Sequence, residues 1–346
     1  SYWPLQLAAR SVLRRGPMRV SRRFSAGPAP PNLAYMVAHA PSHTTTALAV
    51  PQQGVKMDYE TLDKKASALA TALCSHGLGL GDGLFLELQN TAENLILQLA
   101  CARLGVKVVT AKSLEETDEK INIKAAAVSA VSPLASEGSL PLPPLVVTGG
   151  VSGDFKLSEG AIVFEEALEK EENYTNSVLF PKAQEVGDDG GIHAMFGKAL
   201  LTQGEILNLG RSCREKLDIG PGDKICVSIT LCHAYGIGTA VAGAFSAGAT
   251  VVLPAVGGIR GCGNPAQRAE VTLEVLKSEN CTLLFADSHT LKALPPTTEG
   301  DLPSLRGGVV KIASGSTFLD GVTSATIGKE TRELVVAGKQ MLAMGK

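Results

Sequence analysis

Paired cysteines are missing from this chain of 346 residues: its seven cysteines form no Cys-x-x-Cys pair, and their number is odd. A disulfide framework is not expected, and a reducing compartment suits these thiols. Several lie in apolar runs, where a free thiol packs as a small hydrophobe. No set of histidines and cysteines has metal-ligand spacing, so no metal site is expected, zinc included. A net charge of -2 gives no reason to expect nucleic acid as a partner. Neither a Gly-x-Ser-x-Gly elbow nor a His-Glu-x-x-His step is present, so those hydrolytic chemistries have no support.

Two further absences are local. Between Ile225 and Ile259 there is no Asp, Glu, Lys or Arg. About 20 apolar residues suffice to cross a bilayer, but Gly236, Gly238, Gly243 and Gly248, with His233 and Ser246, interrupt this run. An Ala/Gly helix between two β-branched strands, buried in a parallel sheet, is the expectation, and no transmembrane segment. Residues 1–30 hold no acidic residue but six arginines, Arg10, Arg14, Arg15, Arg19, Arg22 and Arg23. Arginine, serine and interspersed Leu and Val make the composition of a mitochondrial presequence, and Arg22–Ser25 resembles a matrix-protease cleavage site. Mitochondrial localisation is expected; a plastid transit peptide and a plain basic tail are the alternatives.

What is present is a plan used twice. Residues 59–111 and 202–255 each read as amphipathic helix, Gly-x-Gly-Asp turn, strand, second helix, glycine and β-branched strand. Gly79, Gly81 and Asp82 match Gly220, Gly222 and Asp223, and Gly105 matches Gly248. Two matched units predict an α/β fold of two similar sheet-and-helix lobes. The expected organisation is a basic arm at 1–31, a first lobe at 32–133, an irregular linker at 134–187 and a second lobe at 188–346. The linker is rich in Pro, Gly and Ser and contains a short strand at Leu145–Thr148. The acidic run Glu165–Glu172 reads as a solvated helix face. Residues Gly257–Pro265 read as a loop, and Arg268–Leu294 as helix, strand and short helix.

These blocks, in this order and spacing, resemble the adenylate-forming superfamily of acyl-CoA synthetases, luciferases and peptide-synthetase adenylation domains. The resemblance covers most of residues 33–320. It is carried by 59–109, by 218–254, by Thr272–Leu294 and by Asp301–Phe318. It implies the N-terminal domain of that family, with a truncated second lobe and without the small C-terminal domain.

The resemblance also sets out what adenylation needs. The family grips the outer phosphates of ATP with a Ser/Thr/Gly-rich loop and its lysine, since N–H groups and hydroxyls are what stabilise that charge. Here the place reads GGIHAMFGKALLTQGE. Leu201 and Thr202 match the family's Leu-Thr-His step, with Gln203 in place of its His. No Ser or Thr lies between Ile192 and Leu201, and Gly197 and Lys198 are all that remain of the loop. The family's magnesium-binding Glu step and ribose-binding acid are missing as well. The expectation is therefore a pseudoenzyme with no catalytic residues, no cofactor and no ATP.

Pocket features persist. His233, Tyr235 and Gly236 match the family's His-x-Tyr-Gly step, and Ser314, Gly315 and Ser316 its turn near the acyl site. Either these residues border a remnant cleft, or they are a core histidine, a packed aromatic and a tight turn. Three functions follow. The chain serves as a structural or accessory subunit of a mitochondrial assembly such as a respiratory-chain or ATP-synthase complex, touching other subunits partly through residues 1–31. Alternatively it binds an acyl group or acyl-CoA, or it is one half of a split synthetase.

Overall fold

The computed structural model describes residues 32–110, 121–129, 145–148, 161–169, 191–196, 199–255, 264–313, 317–322, 324–327 and 329–345. The basic arm, most of the linker and residues 257–263 lie outside these.

The chain enters with helix α1 (Leu33–Ala38) and the antiparallel pair β1 (Thr46–Val50) and β2 (Val55–Asp58). Helix α2 (Tyr59–Ser75) starts where the Asp58 carboxylate accepts the Thr61 N–H at 2.7 Å. The first repeat follows as β3 (Gly83–Glu87), α3 (Ala92–Leu104) and β4 (Lys107–Thr110). Then come β5 (Ile123–Ser129), β6 (Leu145–Thr148), β7 (Ile162–Val163), α4 (Phe164–Glu169) and the hairpin β8 (Ile192–Phe196) and β9 (Ala199–Thr202). Phe164, Ala167 and Leu168 bury one side of α4, with Glu165 half-buried and Glu166 and Glu169 exposed.

Helix α5 (Gln203–Leu217) opens the second repeat behind a capping box, in which Thr202 and Glu205 satisfy each other's backbone N–H. After β10 (Lys224–Ser228) the chain forms a π-helix (Ala234–Val241) that runs on as α6 (Ala242–Ala247) into β11 (Thr250–Val252). The remainder comprises α7 (Pro265–Ser278), β12 (Leu283–Asp287), α8 (Ser288–Ala293), β13 (Gly307–Lys311), β14 (Thr317–Val322), the hairpin β15 (Ser324–Ile327) and β16 (Glu330–Glu333), β17 (Val335–Val336) and β18 (Lys339–Gly345).

The two repeats are built alike down to their hydrogen bonds. Asp82 accepts the Gly79 N–H at 2.9 Å, and Asp223 accepts the Gly220 N–H at 2.8 Å. Gly105 and Gly248 end their helices in left-handed backbone, at φ 67° and 69°.

Each repeat builds one sheet, in the orders β7-β6-β5-β3-β4-β8-β9 and β14-β18-β13-β12-β10-β11-β1-β2. The sheets do not part at residues 133 and 188. Strands β1 and β2, from the first lobe of the sequence, join the second sheet through β1 and β11, with Leu48 opposite Val251. Strands β8 and β9, beyond residue 188, join the first sheet through β4. Burial explains the exchange, because β1 lies almost wholly in the core and needs a partner on each side. One continuous core runs from Leu84 and Leu86 through Leu95, Leu99, Ile206 and Phe245 to Val251 and Leu48. Two polar contacts bolt it: Arg103 of α3 pairs with Asp63 of α2 inside the protein, and the Tyr59 hydroxyl donates to Ala249 O at 2.7 Å. A second cluster, with Cys226, Leu284 and Met341, covers the other face of the second sheet.

Candidate functional site

The site lies where the hairpin β8–β9, the start of the π-helix and the end of β13 meet. Strands β8 and β9 pair from Ile192 opposite Thr202 to Phe196 opposite Ala199. Only Gly197 and Lys198 join them, and those two residues lie outside the described residues.

Beneath the hairpin, Gln203 turns inward and ties the domain together. Its amide nitrogen donates to His193 Nδ1 at 2.9 Å, and its oxygen accepts the Leu33 N–H at 3.1 Å. On the far side of the imidazole, His193 Nε2 donates to Gln98 Oε1 at 3.1 Å. The Gln98 amide then donates to Asn94 Oδ1 at 2.8 Å and to Leu231 O at 3.1 Å. Fully buried and bonded at both nitrogens, His193 stays neutral, and burial pushes its pKa down to about 4. Sequence reasoning missed this histidine, because nothing in Ile-His-Ala-Met-Phe distinguishes a core histidine from a solvated one.

His233 caps the π-helix: its Nδ1 accepts the Tyr235 N–H at 3.3 Å. Its Nε2 lies 3.1 Å from Lys311 Nζ, and its ring meets the edge of Phe196 at 5.7 Å between centroids. Burial, then the Lys311 charge, lowers its pKa to about 4. Lys311, at the end of β13, was not singled out in the sequence, because one lysine after Val-Val carries no local signal. The cleft these groups border measures about 210 Å³ and is lined chiefly by Ala194, Phe196, Leu200, Leu201, His233 and Lys311. Phe196 and Leu200 keep 51% and 53% of their surfaces exposed, an apolar rim. A second groove of about 670 Å³ continues past Leu200 and Leu201 to Leu209, Lys216 and Phe318.

Tyr235 and Gly236 are placed differently from His233. Tyr235 lines the cleft, but its side chain is buried and its hydroxyl is committed to Val309 O at 2.6 Å, deep in the second sheet. Gly236 is required by packing: a Cβ there would stand 2.0 Å from Thr230 O. Ser314, Gly315 and Ser316 lie outside the described residues. A separate hollow of about 350 Å³ between α2 and α4 collects only His76 and Glu166 as titratable groups. Among the described residues no three His, Cys, Asp or Glu converge as metal ligands, and no helix is long and apolar enough to cross a membrane.

No family model matches the chain. It is similar to a nonribosomal peptide synthetase of Clonostachys rogersoniana, 27% identical over 286 residues, or 79% of this chain. An acyl-CoA ligase of Beauveria bassiana is 20% identical over 261 residues, or 69% of this chain. The chain spans only 13% and 43% of the lengths of these two relatives. The crystal structure of a benzoate CoA ligase from Burkholderia xenovorans superposes with a TM-score of 0.59 at 19% identity, over 82% of this chain and 56% of that one. The chain thus has the fold of the N-terminal domain of adenylate-forming acyl-CoA ligases.

Proposed function

We propose that this ligase fold has lost adenylation and serves as a structural or accessory subunit of a mitochondrial assembly. One observation carries the first half: the strands β8 and β9 pair up to a connection of two residues, where the resemblance expects a phosphate-gripping loop. Two residues supply two backbone N–H groups and, in Gly197 and Lys198, no hydroxyl. Losing a single such donor costs ~10²–10³ in rate, so losing the loop removes the step. The second half draws on the arginine-rich, acid-free residues 1–30, which suit import and contact with other subunits.

Carboxylate-dependent exchange of pyrophosphate into ATP tests the loss of catalysis. No exchange above background is expected with acetate, octanoate, palmitate or benzoate, and exchange with any of them defeats the reading. Native gels of solubilised mitochondria, with cross-linking of the endogenous chain, test the assembly. Co-migration with a large complex is expected, and migration as a lone monomer would refute a subunit role.

A second reading, an acyl or acyl-CoA binding module, is favoured by the apolar rim of Phe196 and Leu200 around the cleft. Native mass spectrometry of the isolated chain decides it through the presence or absence of a co-purified acyl ligand.

A further inference from the structure

The hollow of about 350 Å³ between α2 and α4 stands apart from the hairpin and the cleft, and its polar lining is of one kind. Thr71 Oγ1 donates to Ser67 O at 3.0 Å, and Ser75 Oγ donates to Thr71 O at 2.9 Å. A hydroxyl has one hydrogen, so both oxygens offer the hollow lone pairs alone. The His76 ring bonds Ala72 O at 2.8 Å through Nδ1, and a carbonyl only accepts, so Nδ1 holds the proton. The neutral imidazole then carries a lone pair on Nε2. From α4, Glu166 adds a carboxylate. Among the described residues no lysine or arginine lines the hollow. The backbone contributes charge of the same sign. Ala72, Ser75 and His76 belong to the last turn and cap of α2, and the C-terminal end of such a helix carries roughly half a negative charge. No basic residue stands in that turn to offset it.

We infer that this hollow binds a primary ammonium group on a short alkyl chain, its N–H bonds shared among Glu166, His76 Nε2 and the hydroxyls of Thr71 and Ser75. An ammonium has three donors and no acceptor, the complement of this lining. Its bond to a carboxylate is of the strong, charge-assisted kind. The same lone pairs turn away carboxylates and phosphates. Ala68, Ala72, Ile162 and Ala167 supply apolar surface for the alkyl chain. This chemistry has two sources, a free primary amine and the lysine side chain of a partner protein. The inference goes beyond the proposed function and is independent of it, because none of these residues belongs to the hairpin or to the basic arm.

The test titrates the full chain at pH 8, where an alkylammonium keeps its charge. The probes are n-butylammonium, lysine blocked at its backbone amine and carboxyl, tetramethylammonium and butyrate. Binding is followed by nitrogen-15 shifts of the His76 ring, and the free protein should show the Nδ1–H tautomer. The Nε2 resonance should move and saturate with the two primary ammonium probes, at concentrations on the order of 1 mM because the site faces solvent. Tetramethylammonium, which has the charge but no N–H, and butyrate should leave it in place. Glu166→Gln removes the charge and should weaken binding at least about fivefold. Thr71→Val removes one acceptor at nearly constant volume and should weaken it about threefold. Both positions are exposed, so the urea midpoints should stay near that of the parent. Tighter binding of the blocked lysine identifies a partner's side chain, and tighter binding of n-butylammonium identifies a free amine. An Nε2–H tautomer, no saturation with either primary ammonium, equal shifts with tetramethylammonium, or parental affinity in Glu166→Gln overturns the inference. None of these outcomes touches the pyrophosphate-exchange result, so the two readings fail separately.

Discussion

His193 offers the sharpest quantitative handle on this molecule. Folded, its imidazole stays neutral down to about pH 4; in the unfolded chain it protonates near its ordinary 6.5. Between those values the unfolded state binds more protons, so stability falls as pH falls, and the loss is complete below 4. Between pH 7 and pH 5 this one residue accounts for a loss of about 2 kcal/mol. The variant His193→Gln retains an acceptor for the Gln203 amide and a donor for Gln98 but cannot titrate. At pH 7 it should lie within about 1 kcal/mol of the parent, since both hydrogen bonds can be remade. Urea unfolding of both chains at pH 7, 6 and 5 isolates the term, because every other group titrates alike in the two proteins. The stability curves should converge or cross toward pH 5, the parent falling about 2 kcal/mol further than the variant. Parallel curves, separated by the same amount at every pH, would refute the account of a histidine held neutral by burial.

Three further outcomes follow from packing and capping. Gly236→Ala should cost about 3 kcal/mol or more, because its Cβ would meet the backbone oxygen of Thr230 and nothing there is flexible; a urea midpoint shift measures it. Arg103→Leu should cost about 3–5 kcal/mol by stranding Asp63 inside the protein, and the double variant Arg103→Leu/Asp63→Leu should recover most of that loss. Thr202→Ala, which opens the capping box of α5, should cost about 1 kcal/mol by the same assay.

The repeats were legible in the sequence because their signals are local. A turn glycine, an aspartate three residues from the N–H it accepts and a glycine closing a helix each act within a few residues. The strand Leu145–Thr148 and the helix–strand–helix from 265 to 293 could be read for the same reason. The exchange of β1 and β8 between sheets was not legible, because pairing between distant strands leaves no periodic trace in either. Nor was the β-rich stretch 317–345, where β14 and β18 extend the second sheet. At the site, His233 could be singled out from its tyrosine and glycine neighbours. Its companion Lys311 could not, since 78 residues separate the two and only the sheet brings them together. Gln203 was noticed as a substitution, but its role depends on His193, which only the fold places beside it.

The pairing of β1 with β11 shapes how the polypeptide is made. Leu48 leaves the ribosome about two hundred residues ahead of Val251, its eventual neighbour. At ~5–20 residues per second, that interval lasts roughly 10–40 s. Throughout it, the hairpin of Thr46–Asp58 presents an unpaired apolar edge, far longer than a small domain takes to fold. A nascent chain built this way is a natural client for chaperones that shield strand edges during translation.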